Sequence, residues 1–254
     1  MPSPTWTPDA LRSRARRYES RCWRLVEAQH RVSTLKLADT LAEQALLEEL
    51  IEETKPPVPP ECRHLDYLLA TPFRYGTYPN GSRFRRAGRT PGVFYAAERA
   101  VTAVAETVFH RLLFFAESPA TPWPTGAAEF TAFSAQVHTG LCLDLGKRPF
   151  SADRAAWTHP TDHAACQAIA DGARDGGIEV IRYESARDPD HGANLALLTC
   201  RAFARPRPIE RRTWRVRLSP SGAQAICEFP DIRLGFDRGT FAADPRIAGL
   251  NWDR

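Results

Sequence analysis

The sequence predicts an α+β protein with a helical front and a mixed, strand-rich core. Apolar residues recur at helical spacing over residues 7–54, whereas the segments after residue 62 are short, with Gly and Pro between them. The proline-rich run 55–62 separates the helical segment from the short mixed elements. It ends helical structure because proline lacks a backbone donor and restricts the residue before it.

The front of the chain predicts helical structure from residue 7 to residue 54. Pro8 and Asp9 are a start signal, and apolar side chains follow near helical spacing at Leu11, Tyr18, Trp23, Leu25 and Val26. A second helix is predicted over residues 41–53, with Leu41, Ala45, Leu46 and Leu50 on one side. Residues 1–65 are therefore predicted to form an N-terminal helical extension with a proline-rich linker.

The middle of the chain, residues 66–205, predicts a body of mixed elements. Residues 98–115 read as a helix, because Ala100, Val104, Val108 and Leu112 fall on one face. Apolar runs and alternation predict strands at 92–96, within 130–145, at 178–183 and at 195–203, and a further helix is predicted over 161–174.

The end of the chain predicts a β-hairpin. Residues 213–218 alternate strictly between polar and apolar side chains, a Ser-Pro-Ser-Gly turn follows, and residues 225–229 supply the return strand. Residues 206–254 are thus predicted to be a hairpin and tail packed on the body.

The composition is that of a soluble globular protein: among 254 residues, 43% are apolar and 25% are charged. No apolar run approaches the roughly 18 residues of a membrane span, and the early arginines precede no apolar signal segment. The sequence therefore predicts a cytoplasmic location. A net charge of +4 is mild, so nucleic-acid binding is not the first expectation.

The common chemical motifs are absent. The six cysteines form no C-x-x-C pair and no cluster with histidine, so they are predicted to be reduced thiols, and no metal site is expected. The sequence contains no Walker loop, Rossmann glycine fingerprint, H-E-x-x-H or G-x-S-x-G.

Three polar clusters interrupt the apolar elements instead. They are Phe73-Arg74-Tyr75-Gly76 with Gly81-Ser82-Arg83-Phe84, then Phe94-Tyr95 through Ala105-Glu106-Thr107, and Arg182-Tyr183-Glu184-Ser185-Ala186-Arg187. In this order they resemble the RES domain family, which is named for its Arg, Glu and Ser. The resemblance covers about residues 66–205, which it implies are the catalytic domain.

The resemblance implies a fold related to ADP-ribosyltransferases and the function of a toxin in a RES–Xre toxin–antitoxin system. Such toxins degrade NAD+ by cleaving its nicotinamide–ribose bond, with phosphate (a phosphorylase) or water (a glycohydrolase) as acceptor. NAD+ is then the substrate, phosphate is a co-substrate in the first case, and no other cofactor is implied. The implied partner is an Xre or helix-turn-helix antitoxin, through which alone DNA would be contacted.

The residues suit this chemistry. A carboxylate stabilises the positive charge that grows on the ribose, and arginine forks match a pyrophosphate. The implied catalytic residues are Glu106, Arg74 and Ser185, and the implied substrate-binding residues are Tyr75, Arg83, Tyr95 and Arg187. Glu98 is the rival carboxylate, and we expect it to serve as a helix cap or dipole partner instead.

Two departures from the family pattern leave the acceptor open. Phe84-Arg85 stands where many members have Trp-Asn, and Glu184 precedes Ser185 where proline is common. Two other functions also stay open: a protein ADP-ribosyltransferase, and a non-catalytic module that binds nucleotide or a partner. The sequence does not decide the oligomeric state or the role of the helical arm.

Overall fold

In the part of the chain that the structure describes, eight strands form one sheet that curls at one end into a barrel. The computed structural model describes residues 6–27, 37–76 and 79–253. The strands are β1 (Arg16–Glu27), β2 (Phe94–Ala97), β3 (Ala128–Asp144), β4 (Val180–Glu184), β5 (Ala193–Leu197), β6 (Glu210–Ser219), β7 (Gly222–Cys227) and β8 (Ile232–Asp237). The helices are α1 (Pro8–Arg14), α2 (Leu41–Glu53), α3 (Tyr67–Arg74), α4 (Ala100–Glu117), α5 (Arg154–Trp157), α6 (Ala164–Asp175) and α7 (Pro245–Ala248). None of these helices is long and apolar enough to cross a bilayer.

The barrel closes because β1 pairs with both β2 and β3. The strand order is β1-β2-β5-β4-β3, followed outside the barrel by β6-β7-β8. The long strand β3 joins the two parts: its first half pairs antiparallel with β6, and its last residues pair parallel with β4. This mixed sheet with flanking helices confirms the predicted α+β class. The division of the chain at residues 65 and 205 stays a prediction.

The segment Arg16–Glu27 corrects the helix predicted over residues 7–54. It is a strand that pairs with β3 almost from end to end. Its two buried residues are adjacent and face opposite sides, since Cys22 packs inside the barrel and Trp23 packs in the cluster around α4. Adjacent buried residues of this kind interrupt the alternation that identifies a strand. Residues 28–36 of the predicted helix lie outside the described residues.

The helix α2 was predicted correctly, and its start has a clear local cause. The Thr40 hydroxyl accepts from the Glu43 backbone N–H, and the Glu43 carboxylate accepts from the Thr40 N–H. This reciprocal capping box satisfies donors that an exposed helix end would otherwise leave unpaired.

The helix α4 also confirms its prediction and forms one wall of the core. Ala100, Val104, Val108 and Leu112 are all buried, and they belong to one apolar cluster with residues of β3, β6 and β7. This burial presents a second face of α4, with Thr102, Glu106 and Phe109, to the segment between β4 and β5.

Two other predictions need correction. Residues 195–203 are not one strand, because β5 ends at Leu197 and a 3-10 turn follows at Cys200–Ala202. The C-terminal hairpin forms as predicted but gains a third strand, β8, whose Phe236 joins the core. All six cysteines are free and buried.

An ionic network lies where β2 and β3 end, at one mouth of the barrel. The Arg182 guanidinium donates to the Glu98 carboxylate at 2.7 and 3.0 Å and to Asp144 at 3.2 Å. The Tyr18 hydroxyl donates to Glu98 at 2.6 Å. Glu98 is therefore not the helix cap that we expected, since Arg99 occupies the cap position of α4.

The pKa of Glu98 follows from these contacts. Partial burial opposes ionisation, but the hydrogen bonds from Arg182 and Tyr18 outweigh it and hold the pKa of Glu98 below its usual value. A group whose pKa falls on folding adds stability above its unfolded-state pKa and loses it as the pH drops through the folded-state pKa.

We predict that Glu98→Gln lowers the free energy of unfolding at pH 7 by about 1–3 kcal/mol, because Arg182 then keeps Asp144 as its one charged partner among the described residues. Denaturant unfolding of the two proteins at decreasing pH measures the difference, which should shrink below about pH 4 as Glu98 of the wild type is protonated. Glu228→Gln, which removes an exposed partner of Arg215, is the matched control. Equal losses in the two variants would contradict this account.

Candidate active site

Glu106 lies where α4 faces the end of β4 and the start of β5. Its Oε1 accepts two short hydrogen bonds, one from the Ser185 hydroxyl at 2.6 Å and one from the Asn194 side-chain amide at 2.6 Å. Within the described residues its Oε2 has no hydrogen-bond partner. One oxygen is thus anchored while the other stays free to meet a ligand.

The Ser185 hydroxyl is oriented by the backbone that follows it. Its Oγ accepts from the N–H groups of Arg187 at 3.1 Å and Asp188 at 2.9 Å, so its own proton is directed to Glu106. Ser185 is 1% exposed, which keeps water from competing for these bonds. The predicted pair Glu106 and Ser185 is brought together, and their catalytic roles stay predictions.

The turn between β4 and β5 is fixed on α4 one helical turn before Glu106. The Thr102 hydroxyl donates to the Asp188 carboxylate at 2.6 Å, and Arg99 donates to the same carboxylate at 3.2 Å. Gly192 passes so close that a Cβ there would lie 2.3 Å from Thr102 Oγ1. Only glycine permits this approach, and so the turn holds Ser185 and Asn194 at a fixed distance from the helix.

Arg83 and Arg187 donate to backbone carbonyls at the end of α5 and in the loop that follows it. Arg83 donates to the carbonyls of Trp157 at 2.7 Å and His159 at 3.0 Å, and Arg187 donates to the carbonyl of Pro160. The two predicted arginines therefore converge on one loop. Burial lowers the pKa of Arg187, against the opposing effect of nearby Asp244 and Glu106.

His163 is the N-cap residue of α6, and Arg83 and Arg187 are close enough to affect its ionisation. Burial, followed by the charges of Arg83 and Arg187, lowers its pKa to about 4, so the imidazole is uncharged at neutral pH. Its Nε2 is buried and has no hydrogen-bond partner among the described residues. No cluster of metal-ligating side chains occurs in the part of the chain that the structure describes.

Tyr95 occupies a structural position beside the site. Its hydroxyl is 2.8 Å from the Ser82 hydroxyl and accepts from the Phe84 N–H at 3.0 Å, which ties the Gly-Ser-Arg-Phe loop to β2. Burial raises the pKa of Tyr95. Tyr183, which the sequence did not single out by itself, is buried against Phe84 with ring centroids 4.7 Å apart. Burial and then Glu106 raise its pKa well above the usual value.

Arg74 and Tyr75 lie elsewhere. The Arg74 guanidinium binds the Pro56 carbonyl and the Glu52 carboxylate of α2, and both residues line a separate cavity of about 900 Å³. Neither residue contacts Glu106 or Ser185 among the described residues, so the structure does not bring them into the cluster predicted for them.

Sequence reasoning missed two polar residues of the site. Asn194 is the one polar residue of the apolar strand β5. A polar side chain in such a strand is a signal by which the sequence could have identified it. Asp244 is 3.1 Å from Arg187, but nothing in its local sequence connects it with that residue.

The chain belongs to the RES domain family, whose model matches residues 58–219. Among solved structures, it is similar to a chain in the crystal structure of the M. tuberculosis MbcT–MbcA toxin–antitoxin complex, with 15% identity and a TM-score of 0.46 over 80% of this chain and 89% of that chain. No curated protein sequence matches the chain.

We predict that Asn194→Asp makes the protein less stable at pH 7 than at pH 5. Two carboxylates 2.6 Å apart cannot both ionise, so the pair takes up a proton and its pKa rises above the unfolded value. Stability from a raised pKa is present at low pH and is lost as the pH rises. Denaturant unfolding at both pH values measures the effect.

Asn194→Ala is the control for the lost amide, and its stability should change less between pH 5 and pH 7. Equal pH dependence in the two variants would show that residue 194 does not face the Glu106 carboxylate.

Proposed function

We propose that this protein cleaves the bond between nicotinamide and ribose in NAD+ and is the toxin of a toxin–antitoxin pair. Its membership in the RES domain family supports the proposal. The observation that carries it is the Glu106 carboxylate, anchored at Oε1 by Ser185 and Asn194, with no hydrogen-bond partner for Oε2 among the described residues. A half-buried carboxylate is costly, and its orientation by two donors is typical of a group placed for a ligand.

The reaction needs few groups. The bond between nicotinamide N1 and ribose C1 breaks, and both electrons go to the nicotinamide nitrogen. The ribose then resembles an oxocarbenium ion, and a fixed negative charge near it lowers the barrier. An oxygen of water or phosphate forms the new bond to C1. With water the products are ADP-ribose, nicotinamide and a proton; with phosphate the products are ADP-ribose 1-phosphate and nicotinamide.

Glu106 supplies that charge in this proposal. The Ser185 and Asn194 bonds restrict the rotation of the carboxylate, so little reorganisation is needed when charge develops. Ser185 acts as a positioning group rather than as a nucleophile, because its proton is donated to Glu106 and no histidine hydrogen-bonds its Oγ among the described residues.

Arg83 and Arg187 would hold the pyrophosphate. Each guanidinium has five N–H groups, and the loop carbonyls use only some of them. Donors therefore remain for a charge-assisted bond to phosphate oxygens. Arg74 and Tyr75 are left out of this binding role because they bind and line a different part of the molecule.

An antitoxin of the Xre or helix-turn-helix type is the proposed partner, and it would neutralise the toxin by covering the Glu106 cluster. The family supports this proposal. A neighbouring gene of that type whose product binds this protein and blocks nicotinamide release would support it further.

The test follows NAD+ and free nicotinamide by proton NMR, with and without millimolar phosphate. The wild type should release nicotinamide, and Glu106→Gln should reduce kcat by about 10²–10³-fold because the negative charge is lost while size and polarity are kept. A need for phosphate, with ADP-ribose 1-phosphate as product, would identify a phosphorylase. ADP-ribose formed without phosphate would identify a glycohydrolase.

Glu228→Gln is the control, because its carboxylate is exposed and pairs with Arg215, away from the proposed site. Its activity should equal that of the wild type. No nicotinamide from folded protein free of antitoxin would contradict the proposal, and so would full activity in Glu106→Gln.

A further inference from the structure

The C-terminal segment reaches the candidate active site from outside the RES match. That match ends at residue 219, whereas Asp244 lies beyond β8, at the start of α7. Its side chain is 0% exposed, and its Oδ2 lies 3.1 Å from Arg187 Nη2. A fully buried carboxylate is costly unless it is paired, so its place beside an arginine of the site calls for an explanation.

Asp244 is itself held firmly. Its Oδ1 accepts from the backbone N–H of Arg246 and from Arg246 Nε, each at 3.0 Å, and its Oδ2 accepts from Arg246 Nη2 at 2.8 Å. Burial opposes ionisation, but these bonds outweigh it and keep the pKa of Asp244 below its usual value. The carboxylate is therefore charged at neutral pH.

The backbone around Asp244 is fixed by apolar packing. Phe241, Ile247, Leu250 and Trp252 are buried in the same cluster as α4, the helix that carries Glu106. Trp252 stacks with Trp123, and its carbonyl accepts from the Trp123 indole. Asp244 therefore reaches Arg187 from a rigid part of the fold.

Arg187 is restrained along one edge. Its Nη2 meets both Asp244 and the Pro160 carbonyl, and its guanidinium carbon lies 3.8 Å from the centroid of the Phe109 ring. No described residue accepts a hydrogen bond from its Nε or Nη1. The contacts thus fix the plane of the guanidinium and leave its other edge free.

We propose that Asp244 is a positioning residue: it orients Arg187 so that the Nε and Nη1 edge receives an anionic phosphate group of the ligand. The C-terminal segment is then part of the active site, although the family match does not include it. This inference rests on the proposed function for the identity of the ligand, but its binding test does not require turnover.

The test measures binding of ADP-ribose and of inorganic pyrophosphate by calorimetry, together with KM and kcat for NAD+. Asp244→Asn should weaken binding of both ligands by about 5–10-fold and should act mainly on KM, because the charge that orients Arg187 is lost while the side-chain size is kept. In an Arg187→Gln background the same substitution should change binding by less than about twofold, since the group through which it acts is gone.

Asp231→Asn is the matched control. Asp231 pairs with Arg233 at 3.2 Å, and the two are separated by the same number of residues as Asp244 and Arg246. Because this ion pair lies on the exposed surface, its removal should leave binding unchanged. Asp244→Ser keeps a side chain that can cap α7 and tests the lost charge if Asp244→Asn is unstable. Circular dichroism verifies the fold of each variant.

The outcomes distinguish the positioning role of Asp244 from the proposed function. Unchanged binding in Asp244→Asn, or an equal loss with and without Arg187, would overturn the positioning role. Wild-type protein that binds pyrophosphate but releases no nicotinamide would refute the proposed function and leave the positioning role standing. Wild-type protein that binds neither ligand would overturn both.

Discussion

The contact between the Glu106 carboxylate and the β4–β5 segment is the constraint on which the site depends. A half-buried carboxylate needs partners, and here they come from both sides of one turn, Ser185 after β4 and Asn194 in β5. The bonds of Thr102 to Asp188 and the stacking of Arg187 on Phe109 extend that contact along the helix. The bonds that fix the geometry of the site therefore also attach α4 to the β4–β5 segment.

The polar side chains of the site also serve the fold. Arg83 satisfies carbonyls of the loop before α6, and Tyr95 secures the loop that carries Arg83. Such double use fixes the side chains before a ligand arrives, which reduces the entropy lost on binding. Under the proposed function, a variant at Arg83 therefore loses structure and ligand binding together. Glu106 is different, because its Oε2 accepts no hydrogen bond from the part of the chain that the structure describes.

The sequence predicted the secondary-structure elements correctly where the periodicity of apolar residues matches their burial. The prediction was wrong where the two differ. The helix α4 buries Ala100, Val104, Val108 and Leu112 on one face, which is the pattern that periodicity detects. The strand β1 buries adjacent residues on opposite sides, Cys22 in the barrel and Trp23 outside it, and no local pattern distinguishes that arrangement from a helix. Its pairing with β3 joins residues more than a hundred positions apart.

The candidate site shows the same limit at the level of single side chains. The order of motifs connected Glu106 with Ser185, and the structure places them in contact. The order of motifs did not predict that Arg74 would bind Glu52, because that pairing depends on how the proline-rich segment folds back on α2. Partner choice among arginines is a tertiary property: Arg187 has Asp244 beside it because the chain returns after β8 and packs on α4. A domain boundary drawn from motifs alone would therefore separate an arginine of the site from the carboxylate that pairs with it.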